Sequence, residues 1–328
     1  AGKHVYCQKP LCHDVAEVRA LTEATRKAGV KTQLGTQAAS GFGDRMGVHY
    51  VKQGLIGKVK HVYLCSNRPG AIDSYRLMGP RPKEKHAAPD QLNWDLWLGT
   101  APVRSFAPGI YHPSKWRAWQ DFGTGPIGDF MCHIMDTPFK ALELTAPTRI
   151  KATSVPGDWA ANPAWNRENW PAWAIYEYLF PGTKWTAGSS IPVRWYDGGK
   201  KPPRELAGFA DKNRNLPGGG SLFIGEGGNL LLPHVGGPQL LPYSRNKGLK
   251  RPKLKGRSHY HSFVDACLGK DKTTSHFGFA APLAEATLLG NIASRFHGQQ
   301  LQWDAKKLTV TNHTGANKLV NRVHRRFS

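Results

Sequence analysis

Apolar positions recur along this chain in two rhythms, a helix-and-strand rhythm at the start and a strand-dominated one after it. Val5, Tyr6 and Cys7 read as a short buried strand that runs into Lys9-Pro10, where proline fixes the backbone and removes a donor. Such a strand end is a good place to fix an ammonium. Residues 14–29 predict a helix: Asp14 can cap it, Val15, Val18, Leu21 and Thr22 recur at helical spacing, and Gly29 follows its end. A second short strand is expected over 30–35. Strand, helix and strand at this spacing form one parallel crossover unit, as at the far end of a doubly wound sheet.

A helix over about 43–53 follows, and then the pattern changes. Strands are expected near 59–67, 149–155, 174–180, 192–196, 222–224 and 229–232, separated by turn-rich segments such as Asp197-Gly198-Gly199 and Pro217-Gly218-Gly219-Gly220. The last third carries a helix over about 282–296 with Leu283, Ala286, Leu289, Ile292 and Ala293 as its apolar stripe. The expected class is therefore α/β (α+β). One crossover unit of the doubly wound type, residues 1–40, precedes a large, mostly antiparallel sheet domain with helices on one face, residues 41–328.

Composition changes this picture little. At 328 residues and 40% hydrophobic content the chain suits a globular protein, and no run approaches the ~20 apolar residues of a membrane-spanning helix. Five scattered cysteines do not suggest a disulfide framework, and Cys7, Cys12 and His13 lack the second pair a zinc site needs. Charge does matter. The formal net charge is +22, and the acid-free stretch between Glu226 and Asp265 holds Arg245, Lys247, Lys250, Arg251, Lys253, Lys255 and Arg257. This is a solvated basic loop or a surface that attracts an anionic ligand. No recognised nucleic-acid motif accompanies it.

The densest chemical signal is Gly123-Thr124-Gly125-Pro126-Ile127-Gly128-Asp129-Phe130-Met131-Cys132-His133-Ile134-Met135-Asp136. Its glycines match the dinucleotide spacing, but the preceding Lys115–Phe122 segment is too polar and bulky for a central strand, so that match is rejected. The glycines are instead expected to let a ligand approach a helix start. Asp129, His133 and Asp136 would then share one helical face. A carboxylate one turn from an imidazole can orient a general base, and a buried, satisfied histidine fits the spacing equally well. A three-ligand metal site is a further option, without other ligands to complete it. Trp94, Trp97, Trp116 and Trp119 could stack on sugars or fill a core, with Arg117 available for hydroxyls or a carboxylate. His259-Tyr260-His261 reads as a surface helix start rather than a metal site.

The Gln8-Lys9-Pro10 strand end and Asp129-x-x-x-His133 together resemble the Gfo/Idh/MocA family of sugar oxidoreductases. The segments Trp94–Gly99, Trp116–Gly125, Trp195–Gly199 and Pro282–Asn291 look like the branch common in planctomycete-type bacteria. The resemblance spans essentially the whole chain and implies an N-terminally truncated, bacterial member, in which residues 1–40 are the C-terminal remnant of a doubly wound, Rossmann-like nucleotide-binding domain and residues 41–328 the substrate-binding and oligomerisation domain. It implies a homo-oligomer built through the open sheet and leaves the compartment undefined. It also implies an NAD(P)-dependent oxidoreductase acting on a secondary alcohol of a sugar, anionic sugars included, and inactive alone if the preceding half is absent. Lys9, Asp129 and His133 are its catalytic residues. Gln8, Lys9, Pro10 and Gln37 lie on the cofactor side, with NAD or NADP undecided; Trp116, Arg117, Asp129, His133 and Asp136 lie on the substrate side, and no metal is expected. Gln8 departs from the family's glutamate, and the glycine-rich phosphate turn has no counterpart here. NAD-assisted glycoside cleavage and a non-catalytic glycan-binding module are the alternatives.

Overall fold

The computed structural model describes residues 1–68 and 80–326. Strands β1 (Val5–Cys7) and β2 (Thr32–Leu34) pair in parallel and are joined by α1 (Val15–Ala28). The start of α1 is a capping box: Asp14 accepts from the Glu17 amide at 2.8 Å, and the Glu17 carboxylate accepts from the Asp14 amide at 3.2 Å. Gly29 closes it at φ 61°, the left-handed conformation that glycine adopts without steric cost.

After α2 (Phe42–Lys52) the chain builds one large sheet around β3 (Val59–Cys65). Between β3 and the next strand lie α3 (Trp94–Leu98), α4 (Gly125–Ile134) and α5 (Asp136–Leu142). Then come β4 (Arg149–Ser154), α6 (Gly157–Ala161), α7 (Pro163–Asn166), β5 (Ile175–Pro181), β6 (Ser190–Tyr196), β7 (Gly220–Gly225), β8 (Asn229–Pro233) and β9 (Gln239–Leu241). The chain ends with α8 (His259–Cys267), α9 (Phe277–Arg295), β10 (Leu301–Asp304), β11 (Thr309–Val310) and α10 (Thr314–Asn317). The strand order is β11-β10-β4-β5-β6-β3-β7-β8-β9, and among the described residues β3 and β6 are the one parallel pair of this sheet. The sheet is mostly antiparallel, as the strand spacing implied.

Period-two alternation decides which face is buried. Tyr176, Tyr178 and Phe180 of β5 and Ile191, Val193 and Trp195 of β6 point into the core, while Glu177 and Arg194 pair on the outer face. Helix α9 covers the inner face with Leu283, Ala286, Leu289 and Ala293. Gly290 makes that approach possible, since a Cβ there would lie 2.2 Å from Tyr178 Oη and 2.6 Å from Ile127 Cδ1 of α4. Buried Glu285 of α9 accepts from Arg19 of α1 at 2.7 and 2.9 Å and from Trp303 Nε1 of β10 at 2.8 Å. That single carboxylate ties the crossover unit to the sheet.

Two expectations need correction. Helix α9 begins at Phe277 rather than Pro282, because buried Phe277 anchors it and donates its amide to Thr32 Oγ1 at 2.9 Å; Pro282 sits in the second turn. His259 does open α8, capped by Ser258, but it is buried rather than on the surface, bonded to Ser40 Oγ at 2.8 Å and the Leu34 carbonyl at 2.9 Å. Gly290→Ala is expected to destabilise the fold by about 1–3 kcal/mol, because an added methyl has no room there. Urea unfolding checks this, and an unchanged midpoint would contradict the packing described.

Candidate active site

Four strand ends and one helix converge at one edge of the sheet. The parallel strands β3 and β6 end there, delivering Arg68 and Asp197; the β7–β8 hairpin returns to the same edge with Gly219 and His234, whose backbones pair at 2.9 Å. Helix α4 lies against this edge, its end held by Ser221 Oγ donating to the Ile134 carbonyl at 2.9 Å. From the other side comes the end of β1, where Lys9 precedes a cis peptide to Pro10.

The replacement of the family's glutamate by Gln8 left Lys9 with no expected charge partner, and the structure supplies one in Asp129. The Lys9 ammonium donates to Asp129 Oδ1 and, at 3.1 Å, to the Asp129 carbonyl. Arg117 Nε lies 3.5 Å from the same carboxylate oxygen, with its guanidinium 4.6 Å from the Trp116 ring. Trp116, Arg117, Lys9, Asp129 and His133 are thus brought to one place.

The role expected for Asp129 changes. Its carboxylate reaches Lys9 and Arg117, whereas the His133 ring packs against Phe130 at 5.5 Å and His234 at 5.9 Å. Burial pushes the His133 pKa down to about 3, and Lys9, His234 and Arg68 push in the same direction. Burial and Arg68 lower His234 as well. His133 is therefore a neutral imidazole in a cationic setting.

Asp136 is not part of the site. Helix α4 ends at Ile134, Met135 intervenes, and Asp136 opens α5 instead of continuing the same face. Its side chain is 2% exposed and accepts from Lys140 at 2.5 Å. The glycines also serve packing rather than ligand approach: a Cβ on Gly123 would strike the Arg117 backbone at 2.6 Å, and one on Gly125 the Trp170 side chain at 2.7 Å. Before α4 the chain forms a short 3-10 turn, Lys115–Ala118, so the rejected dinucleotide match has no strand in front of it. Trp94 and Trp97 stack at 4.6 Å, and with Tyr111, Trp119 and Phe122 they form a small core of their own.

On the presumed cofactor side, Gln8 is exposed at the end of β1 with its amide over Gly35. Gln37 follows β2 and donates to Tyr260 Oη at 3.2 Å.

Three residues escaped the sequence reading. Arg68 lies 4.8 Å over Phe130, beside His133 and His234. Asp197 is 1% exposed, and burial pushes its pKa up to about 8, nearby Asp129 adding to the rise. His234 precedes Val235, which takes φ 54°. A β-branched residue adopts that region only under constraint, and the tight turn was the signal a sequence could not show.

Residues 41–170 match the family described as "Oxidoreductase family, C-terminal alpha/beta domain". No curated protein matches the chain in sequence. Among solved structures it resembles the WlbA dehydrogenase from Bordetella pertussis, in complex with NADH and UDP-GlcNAcA, at 13% identity and TM-score 0.52, covering 92% of this chain and 72% of that one. It also resembles the aldose-aldose oxidoreductase from Caulobacter crescentus, complexed with glycerol, at 14% identity and TM-score 0.50, over 92% and 72%. A super-repressor mutant of Gal80p from Saccharomyces cerevisiae is similar at 13% identity and TM-score 0.52, over 94% and 73%. At these identities the likeness establishes the fold.

A histidine whose pKa is lowered in the folded state adds stability that is present above its unfolded pKa of 6.5 and is lost as pH falls toward the folded value. His13 and His61, each lowered to about 4, act in the same direction. His133→Phe is expected to flatten the acid-side loss by on the order of 1 kcal/mol per pH unit below 6.5. Denaturant titrations at stepped pH measure it; a slope equal to that of the unsubstituted chain would contradict the burial of a neutral His133.

Proposed function

We propose, from the match of residues 41–170 to the C-terminal domain of the Gfo/Idh/MocA oxidoreductases, that the chain acts in NAD(P)-dependent oxidation or reduction of a secondary alcohol on a sugar. Residues 1–40 form the cofactor side in this reading and residues 41–328 the substrate side. The supporting observation is the convergence of Lys9, from the end of a parallel strand pair, with Asp129 and His133 of α4.

The residues present fit the reactive end of a nicotinamide cofactor. Lys9, Pro10 and Gln37 lie at the carboxyl ends of two parallel strands, where open parallel sheets receive ligands. Gln37 has an amide to offer a carboxamide, and exposed Gln8 has one for a ribose hydroxyl. Among the described residues no glycine-rich phosphate turn follows β1 or β2, so no residue is assigned to the adenosine end. When bound, the cofactor supplies the hydride chemistry.

The chain's own residues handle the proton and the oxygen. Hydride loss leaves the alcohol carbon electron-poor, so the hydroxyl proton must leave with it. Neutral His133 accepts that proton, and the cations that depress its pKa let it return the proton easily in the reverse direction. The Lys9 ammonium holds the substrate oxygen and stabilises negative charge growing there. Asp129 fixes Lys9 rather than tuning His133. Arg117 and Trp116 offer a cation and an aromatic face to the rest of the sugar.

Fold alone does not choose between catalysis and binding, as the likeness to Gal80p illustrates. Lys9→Ala and His133→Ala are each expected to lower kcat by ~10²–10⁴-fold with an unchanged circular dichroism spectrum. Turnover is read from nicotinamide absorbance across a panel of aldoses, polyols and sugar acids. Undiminished turnover in either variant would overturn the site assignment. Sugar binding with no nicotinamide reduction would favour the binding-module reading.

A further inference from the structure

A pocket of about 290 Å³ lies where the start of α1, the end of α9 and residues 318–323 meet, and none of Lys9, Arg117, Asp129 or His133 lines it. Its charges are unbalanced. Arg167, Arg295 and Lys318 line it, and among the described residues no carboxylate pairs with any of them. The two acids in its wall are already engaged. Asp14 caps α1 and lies 3.8 Å from Arg322, while Asp121 pairs with Arg104 and lies 3.6 Å from Arg81. Arg295 reaches the Gln120 side chain; burial and then Arg167 lower its pKa. Like charges held together around a half-open pocket raise a positive potential that an anion would relieve.

The wall also holds unused hydrogen-bonding atoms. Asn291 is 3% exposed and donates to the Thr124 carbonyl at 2.8 Å, which leaves its buried Oδ1 without a partner among the described residues. Buried acceptors of this kind are uncommon, and each calls for an explanation. Among the described residues neither buried His13 ring nitrogen has a hydrogen-bond partner, and the Gln120 backbone lies close enough to act on the ring. Trp170 adds an aromatic side chain, its indole nitrogen donating to the Gly123 carbonyl at 2.6 Å.

We propose that this pocket binds a small polyhydroxylated anion, a sugar acid or a sugar phosphate. Its charged group sits on Arg167, Arg295 and Lys318, and its hydroxyls sit on Asn291 Oδ1 and the His13 ring. Asn291 connects the pocket to Thr124, the residue before α4, so the ligand would sit one hydrogen bond from the helix that carries Asp129 and His133. The site is separate from the proposed hydride-transfer centre and does not depend on it.

Isothermal titration of the whole chain with D-gluconate and with glycerol phosphate tests it, with sorbitol and inorganic phosphate as comparators. At least one anionic polyol should bind saturably, and both comparators should bind at least about tenfold more weakly, roughly 1.4 kcal/mol. The tighter of the two anionic polyols identifies the charged group as carboxylate or phosphate. Arg167→Ala removes an exposed side chain and should weaken binding about tenfold without disturbing the fold. Arg295→Gln should do the same, while Lys9→Met should change the affinity by less than about twofold. No binding of either anionic polyol would overturn the proposal. Inorganic phosphate binding as tightly as glycerol phosphate would overturn the part played by the hydroxyls. Affinity that follows Lys9 rather than Arg167 would overturn the location.

Discussion

The ion pair between Lys9 and Asp129 is the contact on which the rest of the site depends. It joins the end of β1, in the crossover unit, to α4, which lies against the large sheet, and its side chains are only 20% and 10% exposed. A pair this buried gains little net stability, because desolvating two charges offsets most of their attraction. Losing Asp129 is different, since it takes the carboxylate from a part-buried ammonium, whereas Asp129 without Lys9 keeps Arg117. The pair therefore acts more as a locator than as glue. It places an ammonium where it acts electrostatically on His133, and in the function proposed above it fixes where a substrate oxygen sits.

Charge around that pair runs in one direction. Lys9 and Arg117 face Asp129, Arg68 lies beside His133 and His234, which stay neutral, and burial pushes Asp197 up to about 8, favouring its protonated form. The site has a positive surplus, which suits the electron-rich oxygen of the proposed reaction. The second pocket repeats the pattern with Arg167, Arg295 and Lys318. Part of the net charge of +22 is thus spent at these sites, while Lys250, Arg251, Lys253 and Lys255 form an extended basic surface segment.

Much of the fold was legible because local rules and tertiary demands agreed. Asp14 and Gly29 bracket α1 where capping chemistry puts them, and the alternation of Tyr176, Tyr178 and Phe180 marks the buried face of β5. Strands β9, β10 and β11 were not legible, being two to four residues long and defined by their partners rather than by any period. At the site, Lys9, Asp129 and His133 could be found together, but their pairing could not. Helical spacing suggested that Asp129 serves His133, whereas a lysine distant in sequence takes the carboxylate. The same spacing extended the face to Asp136, because nothing local announces the break at Met135. Arg68, Asp197 and His234 arrive on three different strand ends, a juxtaposition that exists only once β3 and β6 run parallel.

In the proposed function, this constellation supports hydride transfer between a sugar carbon and a nicotinamide. The most direct test supplies the protein with NAD and NADP and a panel of sugars deuterated at their secondary carbinol carbons, and reads the reduced cofactor by mass spectrometry. The account predicts deuterium in the nicotinamide from at least one sugar, and none when Lys9 is replaced. Sugar that is bound or cleaved while the cofactor stays unlabelled, or labelling that persists without Lys9, would contradict it.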